Sequence, residues 1–570
     1  MTKKWAVYPR DERSAEMAKA LKIHPIITDI LIRRGLTSEA DIFSFLSPSL
    51  DLLEDPFVFQ DMAKTVSRIR RAINDRETIL VYGDYDVDGV TGSAILYSAL
   101  KKCGAAVEFH IPHRVKEGYG LNRASLEHWV KKVRSEAGSA KKDRTPLLVI
   151  TVDNGITGTE AVKYLKQNRA DVILVDHHVP KGEIPPADAI ISAAVNDKKG
   201  DPNLAACGLA FKLVWALTDF EKAKEFMDLV AVGTVADLAP VLGDNRILLK
   251  HGLGLVAKTK NLGLRALMES AGIKAPWISY RDLAFGLGPR INASGRMGSP
   301  LNAFKLLTTD NAIEARNLAA ILEEGNRDRQ RVEQDATREA TRLVENRLKP
   351  EHRNVLVVES AGWHVGVLGI VAARLVEKFK RPSVVIALSG SGEFCKGSGR
   401  SLPSFSLFES VLKCEDLLET FGGHAQACGL TIREDRISAF RDRLNLVGSE
   451  ATGAPEDPGL EAELLPSELD LRFVKDLEKL APFGPGNPGP RFLSRNMRVR
   501  GEVKKRGKDT LQCWMTDESG SVTCEVVGFR CYEKWRSNEK KQSRFDIVYR
   551  PALKNFNGIE TIQLELEAWA

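Results

Sequence analysis

Nowhere in the 570 residues is there an apolar run of about 18, the length a helix needs to cross a bilayer, so no membrane span is expected. The opening residues Met1-Thr2-Lys3-Lys4-Trp5-Ala6-Val7 lack the long apolar core of a secretory leader. The 8 cysteines (Cys103, Cys207, Cys395, Cys414, Cys428, Cys513, Cys524 and Cys531) form no Cys-x-x-Cys pair. That argues against a zinc ribbon or redox dithiol, and fits reduced, buried thiols in a cytoplasmic protein. Charge imbalance is slight: a net +6 permits an acidic partner and does not demand one. What remains is a soluble chain with enough apolar residues (43%) for real cores, expected to divide into about three or four domains.

Against these absences one stretch stands out: Ile79-Leu80-Val81-Tyr82-Gly83-Asp84-Tyr85-Asp86-Val87-Asp88-Gly89. A buried-strand pattern ends in three acids at alternate positions, and Val90 to Lys102 then reads as a helix. Acids this close repel one another unless a multivalent cation holds them. An isolated Asp-x-Asp more often caps a helix and faces water. An EF-hand loop fits the first six positions but fails at the twelfth, which is Ile95, and a strand-like segment precedes it. A P-loop is excluded because no Gly-Lys-Ser/Thr follows.

From about 76 to 240 strands and helices alternate, which predicts a parallel sheet covered on both faces. After Thr78 to Tyr82, the strands Leu147 to Val152 and Val172 to Val175 end in Asp153-Asn154-Gly155 and Asp176-His177-His178, and Ala189 to Ile191 is a fourth. The C-terminal ends of parallel strands share one edge, which would gather Asp84, Asp86, Asp88, Asp153, Asp176, His177 and His178 into one crevice. Asp237 closes a nearly all-apolar helix begun near Phe226, and is either a solvated helix end or a further ligand. Imidazoles among carboxylates suit manganese or zinc more than calcium, and the mixed set fits two divalent ions acting on a phosphoester.

Further on, Gly286 to Arg296 reads either as a surface turn or as a ligand-approaching loop whose arginines fork phosphate. Residues 311 to 348 form one long amphipathic helix, a strut whose Arg327, Arg329 and Arg331 reach outward, either solvated or lining a groove. A second α/β domain follows, with two glycine-rich stretches, Lys396 to Ser401 and Phe421 to Gly429. Both are expected to be anion-cradling loops completed by Ser398, Arg400 and His424. Residues 449 to 459 read as a linker. Beyond it, five short alternating strands suit an OB-type barrel. Arg491, Arg495, Arg498, Arg500, Lys504, Lys505 and Arg506, with Phe492, Trp514 and Phe529, make the mix that binds single strands, if they are not simply solvated residues of a small β domain.

Gly83-Asp84-Tyr85-Asp86-Val87-Asp88-Gly89, Val152-Asp153-Asn154-Gly155, Asp176-His177-His178 and Val235-Ala236-Asp237 resemble, in order, the four motifs of the DHH phosphoesterase family. Gly422-Gly423-His424-Ala425-x-Ala427-x-Gly429 resembles the signature of the DHH-associated C-terminal domain. Glu117 to Leu121, Gly288 to Ala293 and Gly397 to Ser401 narrow the resemblance to the branch of bacterial exonucleases that degrade single-stranded DNA 5′→3′. The resemblance implies an N-terminal helical segment (1–75), a parallel-sheet DHH domain (76–310), a connecting helix (311–348), a DHH-associated α/β domain (349–450) and an OB-like barrel (460–570).

It implies two Mn²⁺ or Mg²⁺ ions held by Asp84, Asp86, Asp88, Asp153, His177 and Asp237, as ligands or their immediate support, with Asp153 bridging and His178 on the scissile phosphate. Arg114, Arg296, Ser398, Arg400 and His424 become candidate DNA-phosphate contacts, with Ser398 and Arg400 near the 5′ end. Release of mononucleotides in recombination and repair, beside a helicase and a single-strand binding protein, is implied with them. One stretch, Asn203 to Leu209, departs from the family's expected Leu-Ala-Gly-Val-Gly, which should alter a turn and leave the metal set intact. A small-substrate phosphoesterase would lack the basic barrel, and a non-catalytic relative would lack motif acids; this chain has both.

Overall fold

The structure is a computed structural model describing residues 5–113, 117–118, 120–137, 146–180, 182–195, 199–274, 276–346, 348–349, 352–389, 394–449, 459–539, 543–556 and 558–570. The chain divides into two compact units: Pro56–Asp237 with Gly252–Glu456, and Met1–Asp55 with Leu238–His251 and Asp457–Ala570.

In the first of these, β1 (Thr78–Tyr82), β2 (Ala106–His110), β3 (Leu147–Val152), β4 (Asp171–Val175) and β5 (Ala189–Ile191) form a sheet in the order β2-β1-β3-β4-β5. Every pairing is parallel. The centre of the sheet is fully buried, so its strands read as continuous apolar runs rather than alternating ones. β2 and β3 lie on opposite sides of β1, so chain order reverses there, and the crevice of an open α/β sheet opens beyond such strand ends. The helix after β1 runs Val87–Lys102, three residues earlier than the apolar pattern suggests. Asp86 caps it, its Oδ1 accepting from Gly89 N at 3.0 Å, and Asp88 therefore sits inside the first turn.

Gly286 to Arg296 is neither turn nor loop. A π-helix (Asp282–Leu287) runs into an α-helix (Gly288–Met297) with proline in its first turn. Its glycines serve close packing: a Cβ at Gly295 would lie 3.0 Å from Tyr85 O, and one at Gly288 3.3 Å from Ala236 Cβ. Arg290 is committed to Gly286 O (2.7 Å) and to the Glu323 carboxylate (2.5 Å), so only Arg296 of the pair stays a phosphate candidate. The long helix is present (Ala312–Asn346), but its arginines bind their own helix: Arg327 to Glu323, Arg329 to Glu333 and Arg331 to Asp328.

The second sheet comprises β6 (Leu356–Ser360), β7 (Ser383–Ala387), β8 (Phe394–Arg400), β9 (Leu418–His424) and β10 (Ala427–Arg433), in the order β6-β7-β8-β10-β9. The glycine-rich stretches expected to be loops are thus strands. Alternation is the reason: Gly397 and Gly399 face inward, where a Cβ would come within 2.7 Å of Leu430 and 2.6 Å of Leu407, so Ser398 and Arg400 face the other way.

In the other unit, β11 (Ala462–Glu463), β12 (Phe492–Arg506), β13 (Thr510–Thr516), β14 (Thr523–Gly528), β15 (Phe545–Phe556) and β16 (Ile559–Trp569) form a barrel closed by the β12–β15 pairing. The N-terminal helices share its core: Ile27, Ile30, Leu31 and Ile42 pack with Phe473, Leu477, Phe492, Leu511 and Tyr549. Phe492 is fully buried, so it cannot stack on a base, while Trp514 and Phe529 remain half exposed. Arg495 pairs with Glu463 and Asp546, and Lys505 with Glu533. Of the expected linker, residues 450–458 lie outside the described residues. All eight cysteines are free thiols, six of them buried. Among the described residues no helix is long and apolar enough to cross a membrane.

Candidate metal centre

Strand ends deliver the acids. Asp84 and Asp86 follow β1, Asp153 follows β3, Asp176 and His177 follow β4, and Asp237 caps the C-terminus of the helix Met227–Ala236. Asp153 has φ +66°, a left-handed conformation that non-glycine side chains avoid and that Asp and Asn tolerate best. Its N–H still donates to Val175 O at 3.0 Å. Next to it, Asn154 Nδ2 donates to Val152 O (2.9 Å) and Tyr82 O (3.3 Å), tying the ends of β1 and β3 together.

The donor atoms fall into three sets, each within 4.8 Å: Asp84, Asp86 and Asp153; Asp88, His177 and Asp237; and Asp153, His177 and His178. Asp153 and His177 each belong to two of them, so the sets overlap as two neighbouring cation sites would. His177 Nε2 lies 3.3 Å from Asp153 Oδ1, 3.9 Å from Asp237 Oδ2 and 4.0 Å from Asp88 Oδ2.

A pair of divalent ions fits these residues. His177 Nε2 is buried and makes no hydrogen bond, which leaves its lone pair for a ligand. Burial, reinforced by Asp86, Asp88, Asp84 and Asp237, pushes the Asp153 carboxyl well above the ordinary carboxylate range. Burial likewise raises Asp88, and lifts Asp237 to about 9 with help from Asp88 and Asp86. These acids cannot all ionise beside one another without added positive charge, and a set of carboxylates with imidazole suits Mn²⁺ or Mg²⁺.

Asp88 is held in a way the sequence does not announce. Its Oδ2 accepts from Ala206 N (2.7 Å) and its Oδ1 from Cys207 N (2.8 Å), at the N-terminus of the helix Ala206–Leu217. The helix end supplies partial positive charge as well as donors. This is the stretch that departs from the family pattern. Its backbone amides hold Asp88 whatever side chains the stretch carries, so the departure leaves those contacts in place, and the Cys207 thiol reaches the same carboxylate. The thiol also packs on Gly233, where a Cβ would lie 2.6 Å from Sγ.

His178 is oriented by its own motif. Asp176 Oδ1 lies 2.8 Å from its Nδ1 and accepts from its backbone N–H at 3.1 Å, while Oδ2 accepts from Ile156 N at 2.9 Å. Burial opposes both charges, yet the pairing wins: the Asp176 pKa is lowered and the His178 pKa raised.

The phosphate candidates gather beside this centre. His178, Ser398 and His424 line one cleft of about 750 Å³, with Thr157 and Lys396, two residues the sequence reading passed over. Lys396 opens the glycine-rich stretch in the sequence, and only the strand puts its side chain on the face of Ser398. Arg400 Nη1 lies 3.3 Å from Ser398 Oγ, and a Cβ on Gly369, in the first turn of the helix Leu368–Phe379, would come within 2.8 Å of its Nη2. Arg296 does not line the cleft; its Nη1 donates to Gly366 O (3.0 Å), between the cleft residues Val365 and Leu368. Arg114 lies outside the described residues. Glu117 holds what flanks it, bonding His110 Nε2 (2.9 Å) and His113 N (2.8 Å).

Comparison with known proteins agrees with this arrangement. Residues 78–234 match the model of the DHH family N-terminal domain, 352–449 the DHHA1 domain and 460–568 the RecJ OB domain. The single-stranded-DNA-specific exonuclease RecJ of Bacillus subtilis is 34% identical over 99% of this chain and 70% of its own length. That of Escherichia coli is 31% identical over 96% of each. The crystal structure of Thermus thermophilus RecJ with Mn²⁺ superimposes with a TM-score of 0.80 at 29% identity, covering 99% of this chain and 78% of that one. A manganese-bound exonuclease RecJ gives 0.60 at 34% identity, covering 70% and 96%. With its motif acids gathered at one sheet edge and its three domain matches in order, the chain belongs to the RecJ family of the DHH phosphoesterases.

Proposed function

We propose that this protein hydrolyses single-stranded DNA from its 5′ end to mononucleotides, using two Mn²⁺ or Mg²⁺ ions. The observation that carries the reading is the overlap of three donor sets through Asp153 and His177. Asp84, Asp86, Asp153, His177 and Asp237 would hold the ions, Asp153 being common to two of the donor sets, with Asp88 fixed against a helix end as support. When bound, such a pair supplies Lewis-acid polarisation of a phosphodiester. The chain does the rest. Asp176 orients the His178 ring and raises its pKa, which favours the form whose second N–H is offered to the scissile phosphate. Ser398, Arg400, His424 and Arg296, with Arg114, hold neighbouring phosphates, and Ser398 with Arg400 marks the 5′ end. Trp514 and Arg500, opposite one another on β13 and β12, give the barrel an aromatic and cationic face suited to an unpaired strand. The working context is recombination and repair, where a helicase and a single-strand binding protein would present the strand.

Strands labelled at the 5′ or the 3′ end and incubated with Mn²⁺ test the reading. Labelled mononucleotide should appear at once from the 5′-labelled strand, while the 3′-labelled strand shortens progressively. Immediate mononucleotide release from the 3′ label, or no cleavage, overturns it.

A further inference from the structure

The cleft floor carries a second cationic row. β8, β10 and β9 lie side by side, and their register sets Arg400, Ala427 and His424 in one row across the sheet. Ser398, Gly429 and Gly422 form the next row, and Lys396, Thr431 and Thr420 the one after. Residues in register on neighbouring strands share a face. A Cβ on Gly422 or Gly429 would meet nothing within 4 Å, so no protein atom requires glycine there. The middle row is a bare strip that a ligand can approach down to the backbone.

In the third row Lys396 Nζ donates to Thr431 Oγ1 at 3.0 Å, and Thr420 Oγ1 donates to the same oxygen at 2.8 Å. Thr431 thus accepts twice and keeps its own O–H to donate, while the ammonium keeps two N–H groups. The row offers donors and positive charge. No carboxylate lines the cleft, and Lys396 forms no ion pair among the described residues. A cation anchored by hydroxyls, in a cleft with no acid among the described residues, calls for an anion from outside.

We infer that Lys396, set by Thr431 and Thr420, binds a backbone phosphate of the strand, the one adjacent to the phosphate at Ser398. Two residues along a strand advance about 7 Å, close to the repeat of an extended single strand. The bare Gly422–Gly429 strip lies level with Ser398, where it lets the strand approach the sheet beside that phosphate. Lys396 is on this account a substrate-positioning contact one nucleotide removed from the Ser398 and Arg400 contacts, and the inference rests on the cleft being the strand's path.

The test uses the full chain without divalent ions, reading strand affinity by fluorescence anisotropy, so it is independent of cleavage. A neutral methylphosphonate is walked through the first linkages of a 5′-phosphorylated oligonucleotide. Neutralising one linkage should weaken binding to the wild type about tenfold, the scale of a charge-assisted hydrogen bond. Lys396→Met should weaken binding of the unmodified strand by a similar factor and be indifferent to that linkage alone. Lys396→Arg should restore the wild-type pattern, and Ser398→Ala should shift sensitivity at the neighbouring phosphate. An identical penalty pattern in Lys396→Met and wild type overturns the inference, as does unchanged affinity in Lys396→Met. A wild type that binds in this pattern but cleaves nothing condemns the proposed activity and spares the inference.

Discussion

Asp153 concentrates the tension of the site in one side chain. It is buried, left-handed in φ and surrounded by four other carboxylates, so without cations it destabilises the fold it completes. Asp153→Asn should therefore abolish cleavage and leave the metal-free melting temperature equal to or above that of the wild type, as differential scanning calorimetry reads it. A clear fall in that temperature contradicts the account. Asp88 predicts the opposite sign. Both its oxygens accept backbone N–H groups, so Asp88→Asn sets an amide N–H₂ against a donor and should cost about 1–3 kcal/mol by chemical denaturation. The acids, the histidine pair and their convergence were legible in the sequence, because parallel strands carry their C-terminal ends to one edge. The amides that hold Asp88 were not, since a backbone N–H at Ala206 or Cys207 has no signature in residue type.

Elements show the same division. Strands β1, β3 and β4 were legible because burial on both faces leaves unbroken apolar runs. The glycine-rich stretches on β8, β9 and β10 were misread because glycine lowers strand propensity, and only the neighbours beneath Gly397 and Gly399 reveal why it is there. Two more elements carry predictions. Arg246 has its guanidinium over the Phe45 ring at 3.8 Å and donates to the carbonyls of Phe45, Lys479, Leu480, Ala481 and Pro482. Burial lowers its pKa to about 10. Arg246→Met strands several carbonyls and should cost roughly 3 kcal/mol of stability, seen as a lowered urea midpoint. On β14, burial opposes ionisation of Glu525, but hydrogen bonds from Lys554, Gln512 and Gln563 outweigh it and lower its pKa. A lowered carboxylate contributes stability above its unfolded pKa, and that contribution is lost as pH falls through the folded value. Glu525→Gln should then flatten the acid limb of the stability–pH curve, and an unchanged limb contradicts the pairing.

At the scale of the molecule, sequence order and packing part company. The helices at the N-terminus contribute Ile27, Ile30, Leu31 and Ile42 to the core of a barrel begun more than four hundred residues later. No local pattern announces a partner so distant, because an amphipathic helix records that it has an apolar face and not what covers it. Deleting residues 460–570 alone should expose that face and cause aggregation, visible by light scattering; a monodisperse product contradicts the shared core. The barrel's role is better tested by Trp514→Ala with Arg500→Gln, which should weaken binding to long single strands about tenfold or more and reduce the salt dependence of affinity.

All of this rests on carboxylates and one imidazole converging to hold a pair of cations. Electron paramagnetic resonance during Mn²⁺ titration reads that pair directly. Two ions should bind per chain, with an exchange-coupled spectrum that collapses to an uncoupled one in Asp153→Asn. A single site, or two ions that stay magnetically independent in the wild type, would contradict the account.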